Sequence, residues 1–98
     1  MKTLTAKEVQ EKLEQGEQLN IIDVREDDEV REGMIPGAKH VRLGTVEERV
    51  SEFDKDKEYV MVCRSGGRSG KAYQYLESQG FNVINMEGGM LAWEGETK

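Results

Sequence analysis

Four residues with strand character, Tyr59-Val60-Met61-Val62, run straight into the chain's one cysteine, Cys63. Arg64-Ser65-Gly66-Gly67-Arg68-Ser69 follow, and then a helical pattern through Lys71-Ala72-Tyr73-Gln74-Tyr75-Leu76. That order confines the segment to a strand, a glycine-bearing turn and a helix, with the thiol at the boundary. A helix start presents unpaired N–H groups and the positive end of its dipole. A thiolate placed there is stabilised, its pKa falls, and it becomes a nucleophile usable at neutral pH. Arg64 and Arg68 add positive charge at the same place.

The rest of the chain repeats this strand-then-helix grammar. Thr5-Ala6-Lys7-Glu8 fits a capping box, with Val9 and Leu13 one turn apart and Gly16 as a stop. Leu19 to Arg25 reads as a buried strand, short and rich in β-branched residues, with Asp23 near its carboxyl end. Glu26-Asp27-Asp28-Glu29 opens a short helix, where acids suit the dipole. Gly33 to Ala38 is a turn, His40 to Leu43 a short strand, and Thr45 caps a small helix reaching Val50 and Phe53. After the cysteine helix stops at Gly80, Asn82 to Met86 is a last strand and Gly88 to Trp93 turns into a final helical piece. The polar tail from Glu94 to Lys98 is expected to fray, and Trp93 to sit in the core. Strands alternating with helices through short connections give an α/β domain, with a largely parallel sheet and helices on both faces. Ligands of such sheets bind outside the carboxyl ends of the strands, where Asp23 and Cys63 both fall.

Composition narrows the classes of function. Ninety-eight residues make a single domain, residues 1–98, ordered from roughly 3 to 94. A net charge of −6 argues against a nucleic-acid binder, and no apolar run reaches the length of a membrane span. One cysteine and the absence of a signal-like N-terminus suit a reducing cytoplasm. Yet between Cys63 and Leu76 stand three basic residues and no acid. A cationic patch on an acidic protein points to a small anionic ligand there.

The loop supplies the chemistry. Gly66 and Gly67 permit left-handed backbone that a side chain blocks, so several N–H groups can converge into an anion-binding nest. Arg64 and Arg68 can draw in an anionic donor such as thiosulfate; Ser65 and Ser69 offer hydroxyls, Ser69 also as a helix cap. Asp23 can brace the loop by accepting from an arginine or from loop amides; its plainer role is to cap the next helix. A lone cysteine is ordinarily a small buried hydrophobe, but polar, basic and glycine neighbours reverse that reading here. His40 has no motif that brings it to Cys63. No cluster has metal-ligand spacing, and neither a metal nor another cofactor is expected.

Four stretches in order resemble the single-domain rhodaneses, a family of sulfurtransferases: Ile22 to Glu26, Gly33 to Ala38, Cys63 to Ser69, and Gly88 to Trp93. The resemblance implies a five-stranded parallel sheet. It further implies that Cys63 carries sulfane sulfur as a persulfide, cradled by residues 64 to 68, with Asp23 helping to anchor the site. The acceptor is then cyanide, an external thiol or a protein, since no second cysteine can resolve the persulfide internally. Met34 and Val30 depart from the family, which often has histidine and an aromatic there. The nearest rival is a phosphatase or arsenate reductase of the same fold, whose Cys-x5-Arg loop is wider; here Arg68 follows Cys63 after four residues. The other alternative is a binding or sulfur-relay module without catalysis.

Overall fold

The computed structural model describes all residues, Met1–Lys98. Five strands form one sheet in the order β1-β5-β4-β2-β3, every pair parallel. They are β1 (Thr3–Thr5), β2 (Asn20–Asp23), β3 (Lys39–His40), β4 (Glu58–Val62) and β5 (Asn82–Glu87). The helices are α1 (Ala6–Glu14), α2 (Asp27–Arg31) and α3 (Gly67–Ser78), with 3-10 turns at Leu43–Thr45, Val50–Glu52 and Gly89–Ala92. No helix is long and apolar enough to cross a membrane.

The sheet has a core on each face because its strands alternate. On β4, Tyr59 and Met61 turn to one face, joined by Cys63 just past the strand's end, and Val60 and Val62 to the other. The first face packs under α3 with Ala72, Tyr73, Leu76, Phe53 and Phe81. The second packs under α1 with Ala6, Val9, Ile21, Ile35, Ile84 and Met86. Burial on both faces is why these strands read as near-continuous apolar runs. The capping box at α1 forms as expected: Glu8 N–H donates to Thr5 Oγ1 at 3.0 Å, and Thr5 N–H to Glu8 Oε1 at 2.9 Å.

Several details differ from the sequence reading. Residues Thr3–Thr5 form an edge strand on β5, too short to carry a periodic signal of its own. Thr45 caps no helix; its hydroxyl donates to the Arg42 carbonyl at 2.8 Å, and two separate 3-10 turns replace one helix. The tail folds back on the domain. Met34 and Lys98 exchange backbone hydrogen bonds at 3.2 and 2.9 Å, so the C-terminus adds a rung beside the Gly33 turn. Trp93 is only half-buried against the α1 core, and its indole N–H donates to the Glu96 carbonyl at 3.0 Å.

Candidate active site

Cys63 directly follows β4, a central strand, at the carboxyl edge of the sheet. The next turn wraps back over its sulfur. Gly66 takes φ = +109°, which only glycine adopts without strain, and its N–H donates to Cys63 Sγ at 2.9 Å. Gly67 has no such need: its backbone is ordinary, and a Cβ there would meet nothing within 4 Å. The left-handed freedom expected of both glycines is therefore used by Gly66 alone.

The loop is held from behind by the turn after β5. Met90 N–H donates to the Cys63 carbonyl and Leu91 N–H to the Arg64 carbonyl, both at 2.9 Å. A trans peptide carries its C=O and N–H on opposite edges. Fixing those two carbonyls backward therefore turns the Arg64 and Ser65 N–H groups forward, to the side away from the turn. The approach is so close that a Cβ on Gly89 would lie 2.5 Å from the Arg64 oxygen and 2.6 Å from the Cys63 oxygen. Gly89 also has φ = +57°.

These contacts decide the state of the thiol. Burial pushes the Cys63 pKa up, because it disfavours the charged form. Hydrogen bonds from the Ser69 hydroxyl and from the Ser69, Gly66 and Ser65 N–H groups outweigh burial and hold it below the ordinary thiol value. Hydrogen bonds lead this lowering, ahead of the charge of Arg64 and Arg68. Arg68 does feel the Cys63 charge, but less than it feels Glu29.

Each residue singled out from the sequence has a definite place. Arg68 is not free to draw in an anion. Its guanidinium makes a two-pronged ion pair with Glu29 of α2, at 2.6 and 2.7 Å. Arg64 is exposed and has no carboxylate partner. Ser65 is exposed and contributes its amide rather than its hydroxyl. Ser69 is fully buried inside the first turn of α3, whose cap position is Gly66, so it does not act as the cap. Its hydroxyl lies 3.4 Å from Cys63 Sγ.

Asp23 is buried, but its carboxylate makes no hydrogen bond to the cysteine loop. Its carboxylate accepts from Arg25 Nε, Nη2 and backbone N–H, at 2.8 to 3.1 Å. Arg25 in turn donates to the Gly33 carbonyl at 2.8 Å. Asp23 therefore anchors Arg25 and the Gly33 turn, and its bearing on the loop is indirect. It caps no helix either: the residue before α2 is Glu26, whose N–H donates to Glu29 Oε1 at 3.0 Å. His40 takes part in a 2.6 Å hydrogen bond with the Arg25 carbonyl and bonds nothing in the cysteine loop.

A cleft of about 180 Å³ opens beside the loop, lined by Arg25, Glu29, Glu32, Arg64, Met90 and Leu91. Within it Arg25 is neutralised by Asp23 and Glu29 by Arg68, which leaves Arg64 as its one unpaired cation and Glu32 as its one unpaired anion. A larger hollow of about 330 Å³, between α1 and the tail, holds none of these groups. The sequence reading missed Arg25, Glu29 and Asn85 as parts of the site. Only Asn85 carried a signal: it falls on the inward face of β5, in step with Val83, where an apolar residue is the rule.

Known proteins resemble this chain over its whole length. The rhodanese-like domain family matches residues 5–96. This chain belongs to that family. It is 55% identical over all 98 residues to "Putative sulfurtransferase YtwF" of Bacillus subtilis (strain 168), covering 95% of that protein. It is 32% identical to "Thiosulfate sulfurtransferase GlpE" of Shewanella oneidensis, over 81% of this chain and 79% of that one. A rhodanese-like domain protein from Staphylococcus aureus superposes with a TM-score of 0.95 at 39% identity, covering 100% of this chain and 97% of the other. The rhodanese-like fold is thus that of the chain, and the family is of the sulfurtransferase type.

Proposed function

We propose that the protein is a sulfurtransferase that carries sulfane sulfur on Cys63, with thiosulfate as a competent donor. The observation that carries this reading is the loop itself: the Gly66 amide at 2.9 Å and the Ser69 hydroxyl at 3.4 Å converge on one sulfur atom, and hydrogen bonding holds its pKa down. The name of the Shewanella relative supports thiosulfate as donor.

In the first half of the cycle the Cys63 thiolate attacks the outer sulfur of thiosulfate. A new S–S bond forms, the original one breaks, and sulfite leaves with its electron pair. Arg64 faces the incoming anion, and the forward N–H groups of Arg64 and Ser65 receive the charge of the bound sulfur. In the second half an external nucleophile, cyanide or a thiolate, takes the outer sulfur. The electron pair of that S–S bond returns to Cys63 Sγ, and the Gly66 amide and Ser69 hydroxyl stabilise the leaving thiolate. The two halves are separate, so the kinetics are ping-pong. A phosphoryl group would need a wider ring of amides than this short loop offers.

Initial rates of thiocyanate release at varied thiosulfate and cyanide test the reading. Parallel double-reciprocal lines, abolished in Cys63→Ser, are expected. Turnover retained in Cys63→Ser, or intersecting lines, would overturn it.

A further inference from the structure

One buried hydroxyl in this site has more acceptors than it can serve. Ser69 Oγ lies 3.4 Å from Cys63 Sγ, 3.1 Å from the Gly66 carbonyl and 2.5 Å from Asn85 Oδ1. A serine has a single O–H proton, so it donates strongly to one of these at a time. Asn85 is itself fixed. It sits on β5, is 7% exposed, and its Nδ2 donates to the Gly66 carbonyl at 3.2 Å. That second bond settles which end of the amide faces Ser69: turning the amide over would set its oxygen against the Gly66 carbonyl, acceptor to acceptor, while as placed its amino group donates to Gly66 and lies 3.6 Å from Met1 Sδ.

We propose that Asn85 is a positioning residue that takes the Ser69 proton while the Cys63 sulfur is neutral and yields it when the sulfur is charged. The inference rests on Cys63 being the sulfur carrier. In the thiol and in the persulfide, Sγ is a poor acceptor and the short bond to Asn85 wins. In the thiolate, whether attacking or leaving, the charged sulfur competes for the proton. The O–H turns from Asn85 to Sγ by rotation about the serine side chain, and no covalent bond changes. Asn85 therefore works against the thiolate: it stabilises the neutral-sulfur states between transfers and keeps the thiol from becoming too acidic to be a good nucleophile. Other charges near the sulfur do not substitute for this. Arg68 on α3 is tied to Glu29, Arg64 points to solvent, Asp23 is tied to Arg25, and Glu87 at the end of β5 is exposed.

The test is the pH profile of alkylation of Cys63 by iodoacetamide, which reads the thiol whether or not sulfur is transferred. Ser69→Ala should raise the thiol pKa by about half a unit to one unit, by removing the donor. Asn85→Ala should lower it, by a smaller amount, because it removes the short-bonded competitor and leaves only the Gly66 carbonyl at 3.1 Å. In Ser69→Ala/Asn85→Ala the pKa should match Ser69→Ala alone. A purely structural asparagine predicts the reverse, because losing its bond to Gly66 loosens the loop and raises the pKa. A rise or no change in Asn85→Ala overturns the proposal, as does an Asn85 effect that survives without Ser69. Should Asn85→Ala not fold, Asn85→Asp keeps the shape and offers a stronger acceptor. Its pKa rise must then be larger in the chain with Ser69 than in the chain with Ser69→Ala, and equal rises overturn the proposal. Loss of the sulfur-transfer reading with this pattern intact would refute the function and leave the positioning role standing.

Discussion

Breaking the Glu29–Arg68 pair should weaken the fold in a way that depends on pH. The pair joins α2 to the first turn of α3 with two short bonds, between side chains 24% and 33% exposed. The Arg68 hydrogen bonds, chiefly, bring the Glu29 pKa from 4.5 down to about 2. Undiscounted, a change of that size corresponds to about 3 kcal/mol. Solvent screening at a quarter to a third exposure reduces it to about 1–2 kcal/mol. Glu29→Gln should cost that much at pH 7 and lower Tm by about 5–10 °C in a domain this small. Because the folded-state pKa is depressed, the stabilisation is complete above about pH 4.5 and is lost as pH falls towards 2. Urea unfolding of the wild type and Glu29→Gln at pH 7, 4 and 2.5 should therefore show a gap that narrows with acid. A gap independent of pH, or none at pH 7, would refute the reasoning.

Three further outcomes follow from named contacts. Gly89→Ala forces a Cβ against the Cys63–Arg64 peptide at a positive φ; it should cost about 2–4 kcal/mol in thermal unfolding and abolish sulfur transfer. Arg64→Ala removes the unpaired cation of the cleft and should raise the thiosulfate KM about three- to tenfold, with Tm unchanged. Asp23→Ala strands the buried Arg25 charge and should destabilise by about 3–5 kcal/mol by urea titration, with the Cys63 alkylation pKa unaffected in chains that remain folded.

What the sequence revealed follows the physics of each element. β2, β4 and β5 were legible because burial on both faces demands a near-continuous apolar run, and α1 because Thr5 and Glu8 write their capping box locally. β1 was hidden, since three residues on a sheet edge exist only through pairing with β5. The tail was hidden for the same reason: nothing in Glu94 to Lys98 announces a partner at Met34, 64 residues away in sequence. Within the site, the cysteine and its strand-to-helix setting were readable from order alone. The arginine assignments were not, because charge on a sequence says nothing of pairing. Arg68 stood out as a cation and proved to be spent on Glu29, one acid among four in the run 26–29. Asp23 was read as an anchor and proved to anchor Arg25, two residues on. The role of Gly88-Gly89 was readable only as family pattern until the Met90 and Leu91 amides were seen on the loop carbonyls.

The most direct test of sulfur carriage on Cys63 is intact mass after brief incubation with thiosulfate, for the wild type and for Cys63→Ser. The account predicts the gain of one sulfur atom in the wild type alone, removed by cyanide as thiocyanate. A folded wild-type chain with a reactive thiol and no added mass, or an equal adduct on Cys63→Ser, would contradict it.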